Sequence, residues 1–596
     1  MYRILLTCAV LATFSVEGLA APPDDAMVFT VSMPHPASHR FHVSLRCGGL
    51  SGEIQDFKLP VWTPGFYRVL DYAQFVHDFH AEDDAGRPLP WEKVTKNAWR
   101  VVTGGAAAVL VNYDVEATVS FVARSYLDDQ RAFIAPAAIF MHPAGRLRQP
   151  VTASFQMPAI WRHIATGLDP VPGQPNTFRA PDFDVLYDSP ILLGNQEILQ
   201  FTAAGRPHTV AMENVPAGVN REKITSDLQR MVQAATRLIG DVPYQHYTFL
   251  LMGKGNGGIE HANSAAISFN GESLLKEEGY LRWLSYVAHE YFHTFNVKRI
   301  RPLALGPFDY DQENLTDMLW VSEGLSVYYQ DLVLVRAGLM SREQYLEKMA
   351  AAITRFENAP GHRYESAAEA SLNTWGTSPV AVDRSTSISY YDNGAMLGAL
   401  LDLSIRQESH NRDSLDDVMR SLYRDYYQRR RRGFTGAEFR AECEKAAGRS
   451  LAEVFDYVIA SREMDYAKYL GYAGLRVERL TDAAPGAYLG VNTKTQDNGL
   501  EVTDIEADSP ARAAGLAVED HILELDGAQA TAKNLQDMLS SKKPGDKVKL
   551  QFSRSGVTQE IDIVLGQNSK RTYKITALDA PNPLQSAVLA DWLKRW

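Results

Sequence analysis

Trp283-Leu-Ser-Tyr-Val-Ala-His-Glu-Tyr-Phe-His-Thr-Phe-Asn296 is the stretch from which the rest of the chain is read. Neither proline nor glycine interrupts it, and its apolar positions suit a buried helix. On a helix, residues four apart share one face, roughly 6 Å from each other. His289 and His293 can therefore present two imidazoles to one metal ion. Glu290 is one residue on and points beside the metal, where a general base for a metal-activated water belongs. The plainer alternative is a buried helix whose histidines bond to backbone, and the flanking sequence decides between them.

Downstream, the pattern predicts a second helix over 316–337. It contains Trp320-Val-Ser-Glu323-Gly-Leu-Ser-Val-Tyr-Tyr329. Glu323 sits among apolar residues, where an unpaired carboxylate is costly and a metal would compensate it. Two helical histidines and a later glutamate, with one coordination position left open, form a catalytic zinc set. Pro302, Gly306 and Pro307 fall between the two helices and suit an inserted loop. Upstream, Gly255-Asn-Gly-Gly-Ile-Glu-His261 is a glycine-rich approach to an acid, and glycine lets backbone come close to a ligand. By itself that stretch reads as a plain loop with a surface Glu260. Asp309-Tyr-Asp-Gln-Glu313 alternates acids but lacks the glycine and closing glutamate of a calcium loop.

At 596 residues the chain is too long for one core, and its length suggests about four domains. Hydrophobic content of 45% and charged content of 22% are those of a globular protein. A formal net charge of −12 argues against a nucleic-acid partner. Residues 1–20 read as a signal peptide: a basic start at Arg3, an apolar run, then Gly18-Leu-Ala20 before the cut. This predicts a periplasmic or secreted protein with no membrane segment after cleavage. Cys47 and Cys443 then remain, and the sequence leaves their pairing and the oligomeric state open.

The expected architecture is multidomain α+β. Residues 21–213 alternate in the strand period and predict a β-sandwich-like domain. From Arg221 the period becomes helical, giving a mostly helical domain over 214–475. Within it, Arg429 to Arg432 reads as the solvated C-terminal end of a helix. Residues 483–570 resemble a PDZ domain, whose Tyr488-Leu-Gly-Val491 turn would receive a peptide C-terminus on its backbone amides. A helical tail is expected over 571–596.

With these residues in hand, the chain is similar over nearly its full length to the glycyl aminopeptidase family of secreted gluzincins with a C-terminal PDZ domain. The matching stretches are Leu59-Pro-Val-Trp-Thr-Pro-Gly-Phe-Tyr67, Asp182-Phe-Asp-Val-Leu-Tyr-Asp-Ser-Pro190, Gly257-Gly-Ile-Glu-His261, His289 to Arg299, Trp320-Val-Ser-Glu-Gly324 and Tyr390-Tyr-Asp-Asn-Gly394. The resemblance implies a thermolysin-like catalytic domain holding Zn2+ on His289, His293 and Glu323, with Glu290 as base. It implies removal of small N-terminal residues, chiefly Gly and Ala, from peptides with a free N-terminus. It makes Gly257, Gly258 and Glu260 the strand that binds the substrate α-amine. It also makes Tyr391 the tyrosine that stabilises the oxyanion, with Tyr390 as the neighbouring alternative. Relatives usually have Lys where this chain has Asn393. Thirty positions separate His293 from Glu323, more than in thermolysin-like families. Two other readings stand beside this one. The first is an endopeptidase of thermolysin-like chemistry. The second is a non-catalytic periplasmic protein that holds peptide C-termini in its PDZ groove.

Overall fold

The computed structural model describes residues 26–253, 257–376, 386–483, 486–496, 499–506, 508–567 and 569–596. The expected signal peptide, 1–20, lies outside the described residues. No helix among them is long and apolar enough to cross a membrane.

Strands β1 (Met27–Ser32), β2 (Arg40–Cys47), β3 (Val109–Glu116) and β4 (Val151–Gln156) form the centre of the first sheet. β1 pairs antiparallel with β2 and parallel with β4, Met27 lying opposite Val151. Each of the four alternates buried and half-buried residues along its length. That period puts Phe29, Val31, Phe41, Val43, Leu45, Val111 and Tyr113 into one core. Two smaller sheets and the short helix Phe183–Tyr187 close over this core.

The domain ends earlier than the expected position 213. β5 (Glu197–Ala203) and β6 (Arg206–Met212) belong to the next sheet, where β6 runs parallel to β7 (Tyr247–Met252) with His208 opposite Tyr247. Alternation identifies a strand but not its partner, so a boundary between two β segments has no local signal. The sheet continues through β9 (Ser264–Ser268) to β8 (Gly258–Glu260), which is its edge.

Helices α1 (Arg221–Ile239), α2 (Glu277–Phe292), α3 (Leu325–Arg336) and α4 (Tyr390–Glu408) pack against this sheet and one another. The α2 helix is buried along nearly all of its second half, from Val287 to Phe292. It ends at Phe292, with His293 as its C-cap.

The PDZ unit has its own core, including Leu489, Leu500, Val502, Ile522, Leu550 and Phe552. It is an insertion between β10 (Leu475–Ala483) and β12 (Ser569–Ala577), which pair antiparallel with Leu475 opposite Ala577. Its outer strand is β11 (Val491–Gln496), with mostly exposed side chains. The tail expected to be helical over 571–596 therefore begins as a strand and becomes helix only at α5 (Pro583–Trp592). Trp592 is fully buried in the core of the catalytic unit and donates its indole N–H to Tyr328 at 2.8 Å. Cys47 and Cys443 are both buried and unpaired.

Replacing a fully buried tryptophan by alanine costs about 3–5 kcal/mol. Trp592→Ala is therefore expected to lower the denaturant midpoint of the catalytic unit while the PDZ transition stays in place. Equal shifts of both transitions would show that the two units unfold as one.

Candidate active site

The last turn of α2 and the turn before α3 face each other across the site. His289 and His293 project from α2 with their Nε2 atoms 3.1 Å apart. Glu323 comes from Trp320–Gly324, a wider π-helical turn that leads into α3. Such turns leave carbonyls displaced from the regular ladder. Here Asn296, itself fully buried, donates its amide to the carbonyls of Val321 (2.9 Å) and Ser322 (2.8 Å). The backbone carbonyl of Asn296 also lies 2.8 Å from Nδ1 of His293. That partner keeps the proton on Nδ1 and leaves the Nε2 lone pair for a metal.

Oε2 of Glu323 lies 3.6 Å from Nε2 of His289 and 3.2 Å from Nε2 of His293. Donors about 2.1 Å from one tetrahedral cation lie roughly 3.4 Å from each other, so the three atoms fit a single zinc-sized ion. The second oxygen, Oε1, accepts a hydrogen bond at 3.1 Å from the hydroxyl of Tyr67, which belongs to the N-terminal domain. Tyr67 stood in a matching stretch but carried no role in the sequence reading. Its signal is purely long-range, 256 positions from its partner.

Burial opposes a charged His293, but the Glu323 carboxylate outweighs it and pushes the imidazole up to about 10. His289, buried beside His293, is pulled down.

Glu290 is 3% exposed, and a donor atom of Glu290 lies within 4.8 Å of donor atoms of both His293 and Glu260. Burial, aided by the charges of Glu260 and Glu323, pushes its carboxyl up to about 8. The edge strand β8 passes very close to it. A Cβ added at Gly258 would lie 2.3 Å from Oε1 of Glu290, so a side chain there would displace that carboxylate. Gly257 precedes it at a positive φ of 79°.

Glu260, at the end of β8, is 3% exposed and its Oε1 has no hydrogen-bond partner among the described residues. Gly65 of the N-terminal domain, at φ +91°, packs against this carboxylate: a Cβ there would lie 2.8 Å from Oε2. Lys298 approaches Glu260 Oε1 to 3.6 Å but bonds Asp188 at 2.8 Å. Tyr67, Glu260, Lys298 and Asp188 all border a cavity of about 170 Å³ between the two domains.

The two candidate tyrosines begin α4. Tyr390 packs onto the aromatic cluster that includes Trp62, Tyr67 and Trp375. Tyr391 stacks on Tyr390 at 4.7 Å and lies 6.2 Å, ring to ring, from His289, with 37% of its surface exposed. The placement of α4 follows from a close crossing: a Cβ on Gly324 would lie 2.4 Å from Cα of Gly394. All the residues expected from sequence thus converge on one cleft, and the structure adds Tyr67, Gly65, Asp188, Asn296 and Lys298.

Residues 28–195 match the Peptidase M61 N-terminal domain, 282–397 match M61 glycyl aminopeptidase, and 487–565 match a PDZ domain. No curated protein matches the chain. Among solved structures, the chain resembles an aminopeptidase N family protein from Idiomarina loihiensis. The identity is 26% and the TM-score 0.85, over 95% of this chain and 100% of that one. An M1 zinc metallopeptidase from Deinococcus radiodurans matches at 14% identity and a TM-score of 0.47, over 74% of this chain and 95% of that one. One family's N-terminal and catalytic models match the two units that enclose the cleft, with a PDZ model behind them, so the chain is a metallopeptidase similar to the M61 glycyl aminopeptidases.

Proposed function

We propose that the protein is a zinc aminopeptidase that removes glycine and alanine from the free N-termini of peptides. The observation that carries this reading is the convergence of two imidazoles and one carboxylate on a site flanked by two further buried acids. His289, His293 and Glu323 hold the metal. Bound there, Zn2+ supplies a Lewis acid that polarises the scissile carbonyl and acidifies a water. Glu290 accepts a proton from the attacking water on its carboxylate and delivers it to the departing amine. The hydroxyl of Tyr391 donates to the developing oxyanion. Glu260 accepts from the α-ammonium of the first residue, so cleavage occurs one residue in. Gly257 and Gly258 let the β8 backbone run alongside the substrate. The preference for small residues rests on the family to which the chain is similar.

Two parts of the reading concern the rest of the chain. The exposed outer strand β11 and the Tyr488–Val491 turn suit a peptide C-terminus added at the PDZ edge. Residues 1–20 support export to the periplasm or beyond.

The decisive assay is a panel of aminoacyl chromogenic amides, with and without a chelator. Hydrolysis of the Gly and Ala amides is expected to exceed that of bulky residues and to vanish on chelation. Glu290→Gln is expected to keep its zinc but lose about 10²–10⁴-fold in kcat. Turnover preserved in the zinc-loaded variant would remove Glu290 from the mechanism. N-acetylated peptides are expected to be inert, and their rapid cleavage would favour the endopeptidase reading. Tyr67→Phe deletes one hydrogen bond to a metal ligand. Its affinity for zinc in a chelator competition is expected to fall by about 10–100-fold. An unchanged affinity would mean that the Tyr67 bond does not orient Glu323.

A further inference from the structure

Lys298 and Arg301 also border a second, larger cavity of about 570 Å³. Its other walls come from Asp241 and Pro243, just after α1, and from residues 423–432. Five cations line it: Lys298, Arg299, Arg301, Arg431 and Arg432. The acid among its lining residues is Asp241, in a chain whose net charge is −12.

Two of the five are balanced. Lys298 pairs with Asp188 and Arg432 with Glu438, at 2.8 and 2.6 Å. Asp241 balances none of the others: its carboxylate accepts from Tyr423 (2.7 Å), Gln428 (3.2 Å) and the Val242 amide (2.7 Å). Arg299 is 8% exposed. It donates to the carbonyls of Ala262, Thr294 and Pro243, forms no ion pair among the described residues, and has a buried Nε–H without an acceptor. Arg301 is half-buried against Phe308, with no hydrogen bond or close ion pair from its guanidinium among the described residues, though the charges of Asp184 and Asp188 act favourably on it. Burial pulls its pKa down. Arg431, held at φ +52°, is exposed at the rim. A buried guanidinium without an ion pair, as at Arg299, is costly, and the planar fork of arginine matches the oxygens of a carboxylate or phosphate.

We infer that this cavity is an anion site that takes the carboxylate or phosphate group of a small molecule between Arg299, Arg301 and Arg431. Asp241 repels negative charge, so the ligand carries its anionic group away from that wall. The peptidase chemistry uses none of these arginines, and the inference does not depend on it.

Calorimetric titration of the full chain tests it, at fixed ionic strength in chloride, with inorganic phosphate in one arm and N-acetylglycine in the other. One saturable site is expected. Its affinity should fall at least tenfold in the Arg301→Gln/Arg431→Gln double variant and in Arg431→Glu, an exposed change that leaves folding intact. Arg301→Lys, which keeps the charge but loses the fork, should fall between. Tighter binding of phosphate identifies a phosphorylated ligand, and tighter binding of N-acetylglycine a peptide carboxylate. No binding in either arm, or binding undiminished in Arg431→Glu and the double variant, overturns the site.

Discussion

Three carboxylates, Glu260, Glu290 and Glu323, are each 2–3% exposed and crowd one cleft. Buried acids at this spacing repel one another and have lost their water, so they cannot all be ionised without a compensating cation. The structure answers in three ways. Glu290 is driven up towards neutrality, His293 is driven to the charged form beside Glu323, and Lys298 is drawn in beside Glu260. A divalent ion on His289, His293 and Glu323 relieves the same repulsion more fully, because it adds charge at the centre of the cluster. A cation held there would serve the acid cluster structurally as well as chemically.

Assembling that cluster takes both large units of the chain. The N-terminal domain supplies Tyr67 to Glu323, Gly65 to Glu260, and Asp188 to Lys298. The second unit supplies His289, His293 and Glu323, together with Glu290 and the edge strand β8. The cleft is thus an interface, and the stretches 59–67 and 182–190 are half of it rather than neighbouring scaffold. The glycines are placed by the same logic. Gly65 and Gly258 sit where any side chain would strike a carboxylate, and Gly324 and Gly394 sit where two helices cross at contact distance.

How much of this the sequence reveals depends on the range of the interaction. The i, i+4 spacing of His289 and His293 is local, and helix geometry alone puts both imidazoles on one face. Glu323 is legible because a carboxylate set in an apolar run needs a buried cation or donor to offset its lost hydration. The π-helical turn that aims it is not, since the stabilising bonds come from Asn296, more than twenty positions away. Tyr67 is hidden for the same reason. The end of the N-terminal domain is misread because β5 and β6 alternate as any strand does, and only their pairing with β7 assigns them. The strand at 569–577 is missed because its partner lies on the other side of the whole PDZ insertion. Arg429 to Arg432 reads as a solvated helix end and is one, with Arg429, Arg430 and Arg431 exposed; what the sequence does not show is that Arg432 pairs with Glu438 and Arg431 reaches a cavity rim.

The geometry around Glu260 bears directly on whether the cleft can hold an amine. Lys298 is a competing cation, and a full ion pair with Glu260 would leave nothing for a substrate to neutralise. Lys298 stands at ion-pair distance from Glu260 but makes its close bond elsewhere. Asp188 holds the ammonium at 2.8 Å, while Glu260 stays 3.6 Å away with Oε1 lacking a hydrogen bond. A distance of 3.6 Å is beyond hydrogen-bond range, so Lys298 places positive charge beside Glu260 without filling its acceptor sites. Asp188 therefore acts on the site from the N-terminal domain: it restrains the lysine and leaves Oε1 of Glu260 without a hydrogen bond. A carboxylate in that condition, buried and facing a cleft, gains most from an incoming ammonium, which supplies both the charge and the N–H donors that the protein withholds.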